Sequence, residues 1–324
     1  MAKRTIHGTP ARTFFAIGLL VFLTTRAGAA DERVAITPRA PVHISTRDTA
    51  PPLRANVKLT QIPVTVTDSL GATFFGLPQS AFRLFEDGIE QQIKYFTSED
   101  GPVSMGVVFD ASRSMEGRLD QSRAAVSQFF RTATTGDEYF LIEFNDSPRI
   151  LCDFTTDMDR IEKTLVSIKP RNWTALFDSV YLGIQQMRHA KNARKVLLVL
   201  SDGGDNNSRY SESEMNSLVR EADVSIYSIG LVGGGWVKRH VQLLRRLSEQ
   251  TGGHFYPVEK IADLPDAVAK VSAALRNQYV LGYSSHNTEN DGLYRKIEVR
   301  LTQDSTQPPL HASWRNGYYA PDAR

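Results

Sequence analysis

Short, nearly continuous apolar runs alternate with segments of helical periodicity from Val103 to about Val271. Val107-Val108-Phe109, Tyr139 to Phe144, Val196 to Leu200 and Val224 to Leu231 are too apolar for strands with one wet face. They read as strands of a sheet covered on both sides. Between them, Leu119, Val126, Phe129 and Phe130 fall on one side of a helix starting near Arg118. Ile161, Leu165 and Ile168 mark a short helix, Val180, Ile184 and Met187 the inner side of a helix over 178–190, and Leu243, Leu244 and Leu247 another. His254-Phe255-Tyr256 reads as an edge strand, and Ala262 to Leu275 as a final helix. This alternation predicts an α/β fold, a doubly wound and mostly parallel sheet over residues 101–276.

The flanks carry a different period. Val57, Leu59, Ile62, Val64 and Val66 outline β-structure closed by the turn Asp68-Ser69-Leu70-Gly71. Asp87-Gly88 separates two alternating runs, the favoured hairpin signal. Residues 56–100 thus read as a small antiparallel unit, and 277–324 as a C-terminal β segment with strands at Gln278 to Tyr283 and Tyr294 to Leu301. The two flanks either pack together as one sandwich-like module or stand as separate modules. At the start of the chain, Lys3, Arg4 and Arg12 precede an apolar stretch from Phe14 to Leu23, followed by Ala27-Gly28-Ala29-Ala30. Residues 1–30 read as an export signal, since the apolar stretch is shorter than the roughly 20 residues a spanning helix needs. Residues 31–55, with Pro38, Pro41, Pro51 and Pro52, read as a flexible spacer. No later segment is apolar enough to span a bilayer, so the expected location is exported: periplasmic, on the outer surface or secreted.

Candidate chemistry sits where the central strands end. Asp110-Ala111-Ser112-Arg113-Ser114 follows the first buried run, at the carboxyl edge where open α/β sheets bind ligands. One carboxylate and two hydroxyls spaced two apart on a turning loop can converge as hard oxygen ligands on a divalent cation. Two further places qualify for the remaining ligands: the polar loop Asn172-Trp173-Thr174 that opens a helix, and Ser201-Asp202-Gly203-Gly204-Asp205 after the Val196 to Leu200 strand. In order and approximate spacing these three segments resemble the metal-ion-dependent adhesion site of the von Willebrand factor type A domain family. The overall layout, from Phe85-Glu86-Asp87-Gly88 to Arg315-Asn316-Gly317-Tyr318-Tyr319, is similar to a bacterial group of exported proteins related to that domain.

The resemblance implies that Asp110, Ser112 and Ser114 form a first ligand loop, Thr174 the second and Asp202 the third. It implies Mg²⁺, with Mn²⁺ or Ca²⁺ as alternatives, and a partner protein whose Asp or Glu side chain completes the coordination. Only Asp110 and Asp202 would bring charge, so an external carboxylate is not repelled. Many relatives carry Gly-Gly before the Thr, where this chain has Asn172-Trp173. Trp173, Asp205 and Asn206 are candidates for the partner-binding rim, with plain loop polarity as the competing account of the last two. Helix capping is the competing account of the two acidic strand ends.

Composition then narrows the function classes. A formal net charge of +2 over 324 residues gives no broad field for nucleic acid, and no aromatic-interleaved basic patch appears. Cys152 is the only cysteine, which excludes an intramolecular disulfide, and its apolar neighbours predict a buried thiol. No His or Cys lies in the candidate loops, which argues against zinc. Gly233-Gly234-Gly235-Trp236 lacks the Lys-Ser/Thr ending of a phosphate-binding loop. No catalytic residue is assigned, because no nucleophile elbow or second acidic cluster is present. The expected role is a non-enzymatic, cation-dependent binding module; the alternatives are a metal-dependent hydrolase and a structural domain with an unused site.

Overall fold

The computed structural model describes residues 59–98, 100–232, 237–302 and 309–322, with the side chains of 237–240 left aside. The export signal, most of the spacer and the Gly233 to Trp236 run lie outside the described residues. The central sheet has six strands: β5 (Val103–Asp110), β6 (Glu138–Phe144), β7 (Pro148–Thr155), β8 (Arg194–Ser201), β9 (Ser225–Leu231) and β10 (Phe255–Val258). Their order is β10-β9-β8-β5-β6-β7. All neighbours are parallel except β7, which returns antiparallel along β6. The chain steps outward from β5 to β6 and β7, then crosses back to β8 on the other side of β5. That reversal puts the sheet's switch point between the carboxyl ends of β5 and β8, where a crevice forms in such sheets.

Among the described residues six helices cover the sheet: α1 (Leu119–Phe130), α2 (Met158–Ser167), α3 (Leu176–Gln186), α4 (Glu212–Glu221), α5 (Val237–Gln250) and α6 (Leu264–Arg276). Period-two alternation along the strands divides them. Val103, Met105, Val107 and Phe109 of β5 pack with α1, α2 and α6, whereas Val108 packs on the opposite face with α3, α4 and α5. Both faces of the sheet are dry, as the unbroken apolar runs demand. Gly106 is required on the second face, because a Cβ there would lie 2.1 Å from the Phe140 ring. The mostly parallel, doubly wound fold is therefore observed. Helix α3 starts at Leu176 rather than 178, and α4 is an element that apolar periodicity had not revealed, because only Met215 and Val219 on it are buried.

The flanking segments form two four-stranded antiparallel sheets. One has the order β13-β1-β11-β4 and the other β14-β12-β2-β3. The strands are β1 (Thr60–Thr67), β2 (Phe82–Glu86), β3 (Ile89–Gln91), β4 (Ile93–Thr97), β11 (Tyr279–Tyr283), β12 (Tyr294–Leu301), β13 (His311–Trp314) and β14 (Gly317–Tyr319). Each sheet takes strands from both flanks, and they share one core of Ile62, Val64, Leu84, Tyr279, Leu281 and Ile297 among others. The β2–β3 hairpin turns through Asp87 (φ 49°) and Gly88 (φ 83°), both left-handed as its two-residue loop requires. Glu86 is buried and accepts the hydroxyls of Tyr283, Ser285 and, at 2.8 Å, Tyr318, so one carboxylate joins strands from both sheets. A hydrogen bond of 3.1 Å between Thr65 Oγ1 and Tyr227 Oη ties β1 to β9.

Cys152 is buried on β7, as its apolar surroundings predict, and burial pushes its thiol up. His254 is half-buried against the Tyr256 ring, and burial, then Arg245 and Lys270, hold its pKa below the usual value. No helix among the described residues is long and apolar enough to cross a membrane.

Candidate functional site

Asp110 is the last residue of β5 and is wholly buried. The carboxyl ends of β5 and β8 run side by side, Phe109 opposite Leu200, which puts Ser201 next to Asp110. The Ser201 hydroxyl donates to Asp110 Oδ2 at 2.5 Å, and the Ser112 backbone N–H donates to Oδ1 at 2.8 Å. These contacts do not neutralise the group. Burial foremost, and then the charge of Asp202, push its pKa up to about 7, against the opposing pull of Ser112 and Ser201.

From Asp110 the chain passes through extended Ser112 into a 3-10 turn, Arg113–Arg118. The turn brings Ser112 Oγ and Ser114 Oγ to 3.0 Å from each other. Backbone bonds fix this loop on two sides: Ala111 N–H donates to the Phe144 carbonyl at the end of β6, and Arg171 N–H donates to the Ala111 carbonyl, both at 2.8 Å. Ser112 and Arg171 also form a parallel bridge. The Thr174 loop is thereby bound to the Asp110 loop through its own backbone.

The third loop is stitched to the second. Thr174 is buried, its N–H donates to Asn206 Oδ1 at 2.9 Å, and its carbonyl accepts from the N–H groups of Asn206 and Asn207 at 3.0 and 3.2 Å. Asp205 Oδ1 accepts the Leu176 N–H at 2.9 Å, and the Asp205 pKa is raised, chiefly by burial. Asp178 reaches back the other way, accepting the Arg209 and Tyr210 N–H groups at 2.9 and 3.2 Å. Gly203 turns the loop away from Ser201 at φ 82°, and its N–H donates to Ser201 Oγ at 2.9 Å. Asp202 is part-exposed, and its carboxylate makes no hydrogen bond or ion pair among the described residues.

Asp205 and Asn206 thus spend side-chain oxygens on the backbone at the start of α3. Asn206 is also exposed, and Trp173 is 54% exposed with its N–H held by Asp146 Oδ1 at 3.0 Å. Three supports had not been singled out from the sequence: Ser201, Asp146 and Asp178. Ser201 stands beside Asp202 in the sequence, but its role depends on the β5–β8 register, which no local pattern reveals.

The donor set at this edge is two carboxylates and three hydroxyls, all hard oxygens, and Asp110 is a buried acid facing a second acid. That chemistry fits a hard divalent cation. Among the described residues no group of three or more His, Cys, Asp or Glu is placed to hold a metal. A cation at the β5–β8 edge would therefore rest on hydroxyls as much as on carboxylates.

The sheet order, the switch point and these three loops together define an α/β domain with three loops joined at the carboxyl ends of β5 and β8. The family profile of the von Willebrand factor type A domain matches residues 105–270, just over half of the chain. The chain belongs to the von Willebrand factor type A domain family. Domains of this family commonly mediate metal-dependent protein–protein interaction, typically bind a divalent metal and are generally not enzymes. An uncharacterized protein of Borreliella burgdorferi is 25% identical over 205 residues, which cover 61% of this chain and 58% of that protein. The match therefore spans less than two thirds of the relative's length. Among solved structures, the vWF domain of the type V pili tip protein Mfa5 from Porphyromonas gingivalis is 14% identical with a TM-score of 0.47, over 53% of this chain and 94% of that one. The PilB minor pilin from Streptococcus sanguinis is 14% identical with a TM-score of 0.49, over 56% and 63%.

Proposed function

We propose that this chain is an exported, non-enzymatic binding module that captures an acidic side chain of a partner protein through a divalent cation held by Asp110, Ser112, Ser114, Thr174 and Asp202. The observation that carries this reading is the buried Asp110 carboxyl beside Asp202, with no Lys, Arg or His bonded to it. Burial and the neighbouring Asp202 raise the cost of ionising Asp110, and a cation beside it removes that cost. A bound Mg²⁺ would supply a Lewis-acidic place for one external carboxylate oxygen.

The chain's own residues account for the rest. Ser201 and the Ser112 amide orient Asp110, and Asn206 and Asp205 fix the Thr174 loop. Trp173 and Asn206 are exposed on the second and third loops, where the indole would offer apolar contact to an incoming protein. Export rests on the basic start and apolar stretch of residues 1–30.

Partner capture from the producing cell's envelope tests the function. Capture should occur in Mg²⁺, vanish in EDTA and be abolished by Asp110→Ala, with the circular dichroism of the variant unchanged. Capture that survives both treatments removes the cation from the account. Metal-dependent turnover of a phosphoester or peptide panel, lost in Asp202→Ala, would instead favour a hydrolase.

A further inference from the structure

We infer that the partner is recognised as an acidic segment, several carboxylates rather than one, because each loop of the candidate cation site, or the turn beside it, carries an exposed arginine that has no partner among the described residues. The inference rests on the proposed function and names the partner's chemistry. Arg113 lies inside the ligand loop, between Ser112 and Ser114, and is exposed. Arg171 is exposed and is bound by its backbone to Ala111 and Ser112. Arg209 is exposed at the end of the loop that starts with Asp202, its N–H on Asp178. Lys169 is exposed two residues before Arg171. Each of the three loops thus brings at least one cation to the same edge, or to the loop beside it.

None of these three guanidinium groups has an ion pair or side-chain hydrogen bond among the described residues. Arginines elsewhere on the surface are commonly paired: Arg83 with Glu90, Arg131 with Glu162, Arg149 with Glu143, Arg246 with Glu212 and Arg300 with Glu298. Acids share this edge, but most are engaged within it. Asp110 and Asp202 are the proposed cation's own ligands, Asp178, Asp205 and Asp146 accept backbone N–H groups of the neighbouring loops, Asp120 is paired with Arg123, and Glu116 is exposed and unpaired among the described residues in the ligand-loop turn.

The occupant follows from charge complementarity and layout. Guanidinium groups pair with carboxylates through two parallel hydrogen bonds. A nucleic-acid backbone calls for a stripe of cations along a helix or groove with interleaved aromatics. Here the cations come singly from separate loops around one proposed carboxylate position, beside a single exposed indole. A protein segment with neighbouring Asp or Glu residues matches that arrangement, one acid at the cation and its neighbours on the arginines.

Fluorescence anisotropy with two labelled peptides tests this on the full chain: an oligo-glutamate peptide, and a neutral peptide carrying one Glu. The oligo-glutamate peptide should bind roughly tenfold tighter or more at low salt, and the advantage should shrink as salt shortens the range of the charges. The triple variant Arg113→Ala, Arg171→Ala, Arg209→Ala should lose that advantage, while the triple Lys variant keeps most of it. Mn²⁺ binding, read by electron paramagnetic resonance, should be retained in the triple Ala variant, at the parent's affinity or tighter. Equal binding of both peptides, or a triple Ala variant that binds oligo-glutamate like the parent, would overturn the inference. Tighter binding of single-stranded DNA or polyphosphate than of oligo-glutamate would overturn it too. The two readings fail separately. If EDTA changes nothing but the triple Ala variant loses the peptide, the cation role falls and the arginine ring stands.

Discussion

The two edges of the central sheet each bury a carboxylate, and they treat it in opposite ways. At the amino edge, Asp137 precedes β6 and is surrounded by donors: the Val103 N–H at 2.8 Å, the Thr134 N–H at 2.8 Å, the Tyr139 hydroxyl at 3.1 Å and the Arg276 guanidinium. Burial opposes its charge, but Arg276 and the two amides outweigh burial and hold its pKa below the usual carboxylate range. At the carboxyl edge, Asp110 has two hydrogen bonds, no cationic partner and a neighbouring acid, and is pushed up to about 7. The first edge is complete within the protein. The second has the chemistry of a place completed from outside, and three exposed arginines without a partner among the described residues lie on its loops.

The comparison can be broken first at Asp137. Asp137→Ala leaves Arg276 without its main partner and orphans two buried amides, and should cost about 3 kcal/mol of stability in chemical denaturation. Cation binding should be untouched. Asp110→Asn should behave inversely: stability in EDTA within about 1 kcal/mol of the parent or above it, because a buried charge is removed. The same variant should lose the stabilisation that saturating Mg²⁺ gives the parent, about 2.7 kcal/mol at a hundredfold excess over Kd and read as a rise in melting temperature.

The pH dependence has a definite sign. A folded-state pKa lowered from 3.8 means that Asp137 contributes stability above about pH 4, which is lost as pH falls through its depressed value. Acid unfolding followed by circular dichroism should be steeper in the parent than in Asp137→Asn. Equal slopes would place the acid sensitivity elsewhere. Smaller effects are expected from Gly203→Ala. Its φ of 82° is strained for any Cβ, which costs about 1 kcal/mol and should weaken Mn²⁺ binding severalfold by shifting the Asp202 turn. Trp173→Ala should leave stability and cation binding alone and weaken partner capture only.

What the sequence disclosed follows from the range of the forces involved. The runs that became β5, β8 and β9 are apolar at most positions because both faces of their sheet are covered, and that is visible locally. The Asp87-Gly88 hairpin is equally local. Helix α4 was hidden because it buries only Met215 and Val219, though Ser211 and Glu214 form the capping box that marks its start. The antiparallel direction of β7 depends on a pairing with β6 that no residue of β7 announces. At the site, the acidic strand end and its hydroxyls were legible as residue types, whereas Ser201 on Asp110 and Asn206 on Thr174 required strand register and loop packing.

The most direct test is a titration of Mn²⁺ into the full chain, with loss of the free-ion electron paramagnetic resonance signal as the readout and Mg²⁺ as competitor. The account predicts one site per chain, displaced by Mg²⁺ and missing in both Asp110→Asn and Asp202→Asn. A free-ion signal undiminished by the parent protein, or a site that persists in both variants, would contradict it.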